Sequence, residues 1–208
     1  MSTKVLISIE NVYKRRLVSL QECKHDLKAE LPILFQAFER AKDLYNTEIV
    51  LTPPIARCRG HEAMLLNSKM IQAIQEFFPD KWRFGKYKRF TLRIRGYQIL
   101  FKKLDSKNRP MNIPTGLSMA INNQHSLSLF NDNTFKYEPL LFFGYRKDKL
   151  GRLSDPKIVY IDEGRMKWTI DAYDVSTQFV QSSSLKSVSP AIAKVKAVKH
   201  ASETKTTG

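Results

Sequence analysis

The spacing of apolar residues in the first half of the chain follows the helical repeat. Between Leu27 and Tyr45 they recur at steps of three and four, which places them on one face of a helix. Pro32 lies inside this pattern, and a proline in a helix interior removes a hydrogen bond. We therefore predict one helix from about Ser19 to Ala29 and a second that opens at Pro32 and runs to about Tyr45.

Two further helices are predicted farther along the chain. The stretch HEAMLLNSKMIQAIQEFF, which starts at His61, again places its apolar residues on one face. Pro79 disfavours helical backbone at the residue before it, so Phe78 is the expected end. Thr115 carries a side-chain oxygen suited to cap a short helix that extends through Asn122.

The apolar period changes to two near Arg89, which indicates a β-strand. In KRFTLRIRG, the apolar side chains that point one way are Phe90, Leu92 and Ile94. The polar side chains on the other face are Arg89, Thr91, Arg93 and Arg95. Gly96 permits a tight turn, and YQILFKKL is predicted to be the returning strand.

Three later segments complete the predicted sheet. PLLFFGYR is apolar on both faces, as a central strand would be, while KIVYI and MKWTIDAY form a hairpin with Gly164 in its turn. Helices followed by closely connected strands predict an α+β fold, with N-terminal helices packed on one face of a roughly five-stranded, mostly antiparallel sheet. The expected domain covers residues 1–180, helical over 1–79 and sheet-rich over 86–174, and a disordered basic tail covers 181–208.

The composition of this chain of 208 residues is that of one soluble domain with a core of its own. Its two cysteines, Cys23 and Cys58, are too few for a disulfide framework and are predicted to be free thiols in a reducing compartment. No apolar run is long enough to span a membrane, and the start of the chain lacks the order of segments of a signal peptide. We therefore expect a cytoplasmic protein without a membrane partner.

The formal net charge of +15 is concentrated in one segment. Residues 80–110 carry eleven basic and two acidic side chains, whereas residues 111–180 carry eight of each. Residues 1–79 add a net charge of +2 and the tail adds +4. Excess charge of this size does not define a fold, but it predicts an anionic partner such as nucleic acid or an acidic protein.

Nucleic acid is the partner that the basic strand favours. Its polar face would present a row of side chains spaced at roughly 7 Å, similar to the repeat of phosphates along one strand. Arginine binds phosphate through two parallel hydrogen bonds and also stacks on bases. The predicted contacts to DNA or RNA are Arg89, Arg93, Arg95, Lys102, Lys103 and Tyr97. Further candidate stacking surfaces are Trp82, Phe84 and Tyr87. The simpler interpretation is a solvated sheet face.

A nuclease is the alternative that would make this chain an enzyme. Asp162 and Asp171 flank the predicted hairpin, and carboxylates on adjacent strands can hold the divalent metal ion that such enzymes use. His61, in RCRGHEAM, is a candidate acid or base for metal-independent RNA cleavage. These residues also suit strand ends and a helix start, so no catalytic residue is assigned. No cofactor is expected beyond that metal ion, because no zinc, dinucleotide or P-loop pattern is present.

The stretch from Arg57 to Ile170 resembles a group of poorly characterised bacterial proteins of mobile elements. The similarity lies in ILFKKLDSKNRPMNIPT, in LFFGYRKDKLGRL and in a closing hairpin with the sequence WTI. Such proteins are encoded beside a partner that joins an Xre-type DNA-binding domain to an ImmA/IrrE-like peptidase domain. The resemblance implies an effector of a toxin–antitoxin or phage-defence pair, and it carries no active-site residues to this chain. It also makes a protein–protein interaction module, docking an acidic antitoxin-like partner, a further alternative.

Overall fold

Helices precede most of the strands in the part of the chain that the structure describes. This computed structural model describes residues 16–125, 138–148 and 151–175, so the predicted tail over 181–208 lies outside the described residues. The helices are α1 (Leu20–Asp26), α2 (Glu30–Ile49), α3 (His61–Phe77) and α4 (Gly116–Asn122). The strands are β1 (Trp82–Phe84), β2 (Phe90–Ile94), β3 (Tyr97–Lys103), β4 (Leu140–Lys147), β5 (Leu153–Asp162) and β6 (Arg165–Asp171).

The described strands form one sheet in chain order, from β1 to β6. Every neighbouring pair is antiparallel except β3 and β4, which are parallel. Helices packed on a mostly antiparallel sheet make this an α+β fold, as predicted. The sheet has one strand more than the predicted five because β1 is only 3 residues long, too short for an alternating pattern to be recognised.

The parallel pair β3–β4 requires a long crossover, which the expectation of short connections between strands did not include. The crossover carries α4, and Thr115 caps this helix as predicted. Thr115 Oγ1 accepts a hydrogen bond from the Ser118 amide at 3.1 Å, and Ser118 Oγ accepts one from the Thr115 amide at 2.8 Å. α4 covers the sheet face opposite α1–α3, where a small core contains Leu100, Leu104, Ile121, Leu140, Phe142, Val159 and Ile161.

The larger core lies between the first three helices and the other face of the sheet. The apolar face of β2 points into it, as the alternation predicts. In β4, Leu141 and Phe143 face this core while Leu140 and Phe142 face the smaller one. This division confirms that β4 is a central strand with two apolar faces.

α2 differs from its prediction mainly at its end. Pro32 lies in its first turn, where the missing N–H costs little. The helix continues to Ile49 rather than ending near Tyr45. The guanidinium of Arg57 satisfies the carbonyl groups at this end, because it donates hydrogen bonds to the backbone oxygens of Ile49 and Thr52, both at 2.9 Å.

Two tight turns lie at one end of the sheet. Arg95–Gly96 joins β2 to β3 and Glu163–Gly164 joins β5 to β6, and all of these residues have positive φ angles, between 49° and 76°. This is the conformation of a two-residue hairpin loop whose twist matches that of the strands. Because β3 and β4 are parallel, both start at this end and both finish at the opposite one. We call these the turn end and the carboxyl end of the sheet.

Candidate nucleic-acid interface

The predicted row of cations along β2 does not form. β2 ends at Ile94, so Arg95 lies in the following turn, where its φ of 49° breaks the strand alternation. Arg89 precedes the strand, and Thr91 is fully buried. The arginines of this segment consequently have three different environments.

Arg93 is paired with a carboxylate from a distant part of the chain. Its Nε donates a hydrogen bond to Glu138 Oε1 at 2.7 Å. Glu138 is buried just before β4, and its other oxygen accepts a hydrogen bond from Gln98 Nε2 at 3.1 Å. A buried carboxylate is tolerated only when such partners replace its water. Arg93 therefore contributes to the structure at the start of β4.

Arg95 is paired with the first residue of α2. Its Nε donates a hydrogen bond to Glu30 Oε1 at 2.6 Å. The side chain of Glu30 is 16% exposed and that of Arg95 is 62% exposed, so the carboxylate is the more buried partner. This ion pair connects the β2–β3 turn to α2 and balances the charge of Arg95 within the protein.

Tyr97 is not available as a stacking surface, which corrects the expectation from sequence. The residue is completely buried in the larger core. Its hydroxyl donates a hydrogen bond to Asp26 Oδ2 at 2.7 Å, and the Arg16 guanidinium lies 5.4 Å from the centre of its ring. Burial, together with the contact to Asp26, holds the pKa of Tyr97 well above its usual value. Tyr97 thus attaches α1 to the sheet.

Arg89 and Lys102 form a pair of like charges at the carboxyl end. The β2–β3 register pairs Leu92 with Ile99, and its continuation brings Arg89 opposite Lys102. Both side chains are half-buried. Within the residues that the structure describes, neither has a carboxylate or a hydrogen-bond partner. Like charges directly opposite each other destabilise a sheet, so this arrangement has a cost.

The pKa values of this pair have the direction expected for cations without a counter-ion. Burial lowers the pKa of the Arg89 guanidinium. Burial is also the main cause that lowers the pKa of the Lys102 ammonium, and repulsion from Arg89 adds to it. Both effects disfavour the charged form. An anion bound between the two side chains would offset both the burial of the two charges and their mutual repulsion.

A cavity of about 210 Å³ lies beside the Arg89–Lys102 pair. Its lining includes Asn67 from α3 and Tyr87 and Lys88 from the turn that precedes β2. Tyr87 and Lys88 are exposed, and both have left-handed backbone, with φ angles of 57° and 53°. One recess therefore brings together three cations, an amide and the exposed ring of Tyr87.

A second recess at the carboxyl end, of about 430 Å³, is lined by Lys103 and Lys147. Lys147 forms an ion pair with Glu62 in the first turn of α3, and Arg57 Nη1 lies 3.1 Å from the same carboxylate. The hydrogen bond from Lys147, supported by Arg57, holds the pKa of Glu62 below its usual value. Lys103 is exposed, and no ion pair involves it within the described ranges. Lys102 and Lys103 are consecutive in β3 and so point to opposite faces of the sheet, which makes Lys103 a separate cation without an ion pair at the same end.

A larger cavity, of about 950 Å³, lies at the turn end. Its lining includes Glu30, Arg93 and Arg95, and these two arginines already have carboxylate partners. Volume alone therefore does not identify the site. The smaller recesses at the carboxyl end contain Arg89, Lys102 and Lys103, which lack such partners among the described residues.

The carboxylates predicted to hold a metal ion are not brought together. Asp162 lies at the turn end of the β5–β6 hairpin near Arg165, and Asp171 lies at the other end opposite Lys157. The strand between them corresponds to roughly 20 Å. Asp171 Oδ1 instead accepts a hydrogen bond from the Asp174 amide at 2.9 Å. In the described parts of the chain, no group of three or more His, Cys, Asp or Glu side chains could hold a metal ion.

His61 begins α3, as predicted, and its side chain is half-buried. Its Nε2 is buried and has no hydrogen-bond partner among the residues the structure describes. A general acid or base must reach the proton that it transfers. The buried Nε2 of His61 does not provide this access.

Lys88 and Asn67 were not among the predicted contacts, although both line the recess beside Arg89. Lys88 adjoins Arg89 in sequence, which was the one local signal for it. Of the candidate stacking residues, Tyr87 is 79% exposed, whereas Trp82 is half-buried and packs on Phe84, with ring centres 5.9 Å apart. Tyr87 is therefore the candidate stacking residue that is both exposed and part of the recess beside Arg89 and Lys102.

Comparison with known proteins was made for the whole chain. No protein-family model, no curated protein and no solved structure matches it. Within the described residues, no helix is both long enough and apolar enough to cross a membrane. The site is therefore interpreted from its own geometry.

Proposed function

We propose that this chain binds nucleic acid through a cationic site at the carboxyl end of the sheet, formed by Lys88, Arg89, Lys102 and Lys103. The Arg89–Lys102 pair is the observation that supports this most directly. Its two charges face each other, half-buried and without a carboxylate partner among the described residues. A phosphate bound between them would relieve their repulsion and replace lost water with charge-assisted hydrogen bonds.

The distribution of charge favours a polymer over a single small anion. Residues 80–110 carry a net charge of +9. Lys88 lines the same recess as the central pair and Lys103 lines a second recess at the same end of the sheet, so the cations extend beyond the central pair. A polyanion engages several such cations at once and releases its own counterions, which makes its affinity fall steeply with salt.

In the cell, we propose that this binding makes the chain the effector of a toxin–antitoxin or phage-defence pair. This part of the proposal rests on the resemblance over Arg57–Ile170. The same cations would also dock an acidic antitoxin-like protein, because arginine binds carboxylate and phosphate through the same paired hydrogen bonds. Nucleic acid and that protein would then compete for one site.

A nuclease stays a hypothesis that the geometry does not support. Asp162 and Asp171 lie at opposite ends of a hairpin, and Nε2 of His61 is buried. Phosphoryl transfer needs its acid, base or metal beside one reacting phosphate. The candidate residues do not form such an arrangement in the described parts of the chain.

The test is a fluorescence-anisotropy titration of the full chain with short single strands and duplexes at several salt concentrations. Wild type is compared with Arg89→Gln/Lys102→Gln and with the matched control Lys28→Gln/Lys81→Gln, which removes the same charge from exposed side chains. Loss of the one phosphate held between the two side chains should reduce the slope of log affinity against log salt by about 0.7 for single strands and about 0.9 for a duplex. The control should keep the wild-type slope. Equal slopes in both double variants, or weak binding at physiological salt, would contradict the proposal.

A further inference from the structure

Tyr87 is the most exposed aromatic residue of the basic segment, at 79%. The rings around it are packed against one another. Phe90 is buried and stacks on Trp82 with ring centres 6.0 Å apart, and Phe101 lies 6.0 Å from Phe90 on the other side. The Tyr87 ring lies at the recess that Arg89 lines.

The backbone around Tyr87 is unusual for a bulky side chain. Tyr87 and Lys88 are consecutive non-glycine residues with left-handed backbone. A side chain with a Cβ disfavours this conformation, and aromatic residues adopt it rarely. An exposed ring held by unfavourable backbone indicates a contact with a ligand more than a role in packing.

We propose that the site takes single-stranded nucleic acid, with one phosphate between Arg89 and Lys102 and the neighbouring base stacked on Tyr87. This inference rests on the proposed function and names its substrate class. Aromatic rings that alternate with cations are the usual means of holding an unpaired strand, because every base has a flat face and every linkage has a phosphate.

A duplex does not fit this arrangement as well. Its bases are stacked on each other and leave no open face for an exposed ring such as Tyr87. Its backbone is stiff, whereas the Arg89 and Lys102 side chains are half-buried and must be reached inside a recess. A single strand bends one phosphate into the recess and turns the adjacent base onto the ring.

The probe is a short single strand that contains one 2-aminopurine, a fluorescent adenine analogue whose emission falls when it stacks. The same sequence annealed to its complement is the duplex. Tyr87→Phe keeps the ring, while Tyr87→Ser and Tyr87→Asn remove it, and asparagine tolerates left-handed backbone. Because Tyr87 is exposed, all three variants are expected to fold.

Wild type and Tyr87→Phe should quench the probe and bind the single strand about tenfold or more tightly than the duplex at the same salt. Tyr87→Ser and Tyr87→Asn should lose the quenching and about tenfold in affinity. Their salt slope should equal that of wild type, because no phosphate contact is removed. A role of Tyr87 in folding alone would not produce this combination.

Two results would overturn the inference: equal affinity of Tyr87→Phe and the ringless variants, or a duplex bound as tightly as the single strand. If Arg89→Gln/Lys102→Gln still reduces the salt slope in that case, the proposed function stands and the substrate class is wrong. If neither form binds at physiological salt, the proposed function fails and this inference fails with it.

Discussion

Arginine has opposite environments at the two ends of the sheet. At the turn end, Arg93 and Arg95 donate hydrogen bonds to carboxylates at 2.7 Å and 2.6 Å. At the carboxyl end, Arg89 lies opposite Lys102, and neither has such a partner among the described residues. All of these residues belong to one basic segment and look alike in the sequence.

The difference shows that a basic segment contains two kinds of cation. Cations such as Arg93 neutralise a carboxylate that would otherwise be buried alone, so they contribute to stability. Cations such as Arg89 and Lys102 repel each other, so they contribute to stability only when an anion is bound. The charge of residues 80–110 therefore overstates the number of contacts available to a partner.

The largest effect on stability is expected from breaking the ion pair between Arg93 and Glu138 at the turn end. Arg93→Gln should lower the free energy of unfolding by about 2 kcal/mol, because the buried carboxylate of Glu138 loses its charged donor. Nucleic-acid affinity should change little. Urea denaturation and the anisotropy titration measure the two quantities.

The control for this variant is Arg40→Gln, which makes the same change at an ion pair that is exposed on both sides, 3.0 Å from Glu76. It should change stability by less than about 0.5 kcal/mol. Arg93→Gln/Glu138→Gln should recover part of the loss, since no buried charge remains. If Arg93→Gln costs no more than Arg40→Gln, Arg93 is not a structural residue and becomes a candidate contact again.

A smaller effect on stability, of opposite sign, is expected from a variant that introduces a carboxylate at the carboxyl end of the sheet. Arg89→Glu would place a carboxylate opposite Lys102 and should raise the free energy of unfolding by up to about 1 kcal/mol. The same change should abolish nucleic-acid binding. Thermal unfolding and anisotropy check both outcomes.

Lys28→Glu changes the net charge equally at an exposed site and should weaken binding only slightly. A less stable Arg89→Glu variant that keeps wild-type affinity would show that Arg89 is needed for the fold and not for the partner. The comparison between the two ends of the sheet would then be wrong.

The smallest effect is expected from removing the charge of Lys102. Lys102→Met should raise the free energy of unfolding by about 0.5 kcal/mol near neutral pH. The pKa of Lys102 is lower in the folded protein than in the unfolded chain. At a pH between the folded-state and unfolded-state pKa values, the unfolded chain therefore binds more protons. The free energy of unfolding of the wild type consequently rises with pH over this range. The gain in the free energy of unfolding from Lys102→Met is therefore largest below the folded-state pKa of Lys102. It disappears above the unfolded-state pKa of about 10.4.

Urea denaturation of both proteins from neutral to alkaline pH measures this difference, and effects of other groups cancel because both proteins contain them. Lys103→Met removes one lysine from the adjacent exposed position and serves as the control. A constant difference between wild type and Lys102→Met across the series would show that repulsion and burial do not act on Lys102.

Local pattern predicted most of the elements. The helical stripe located α3 to within a residue at its end, Thr115 identified the start of α4, and glycines at positions 96 and 164 located both hairpin turns. β1 was missed because 3 residues are too few to show an alternating pattern. The β3–β4 crossover was missed because the residues of a strand do not indicate whether it will pair parallel or antiparallel. The helical stripe, the cap at Thr115 and the turn glycines depend only on residues within a few positions, so they can be recognised in the sequence.

The sequence by itself determined the α+β class, the central position of β4 and the concentration of charge in residues 80–110, because each depends on local spacing or on a count. Tertiary structure decided that Arg93 and Arg95 are paired and that Arg89 and Lys102 are not, within the described residues. Arg93 meets a carboxylate 45 positions away and Arg95 one 65 positions away. Such partners are set by packing of the whole chain, since an ion pair needs two atoms within a few ångströms and places no constraint on their separation in sequence.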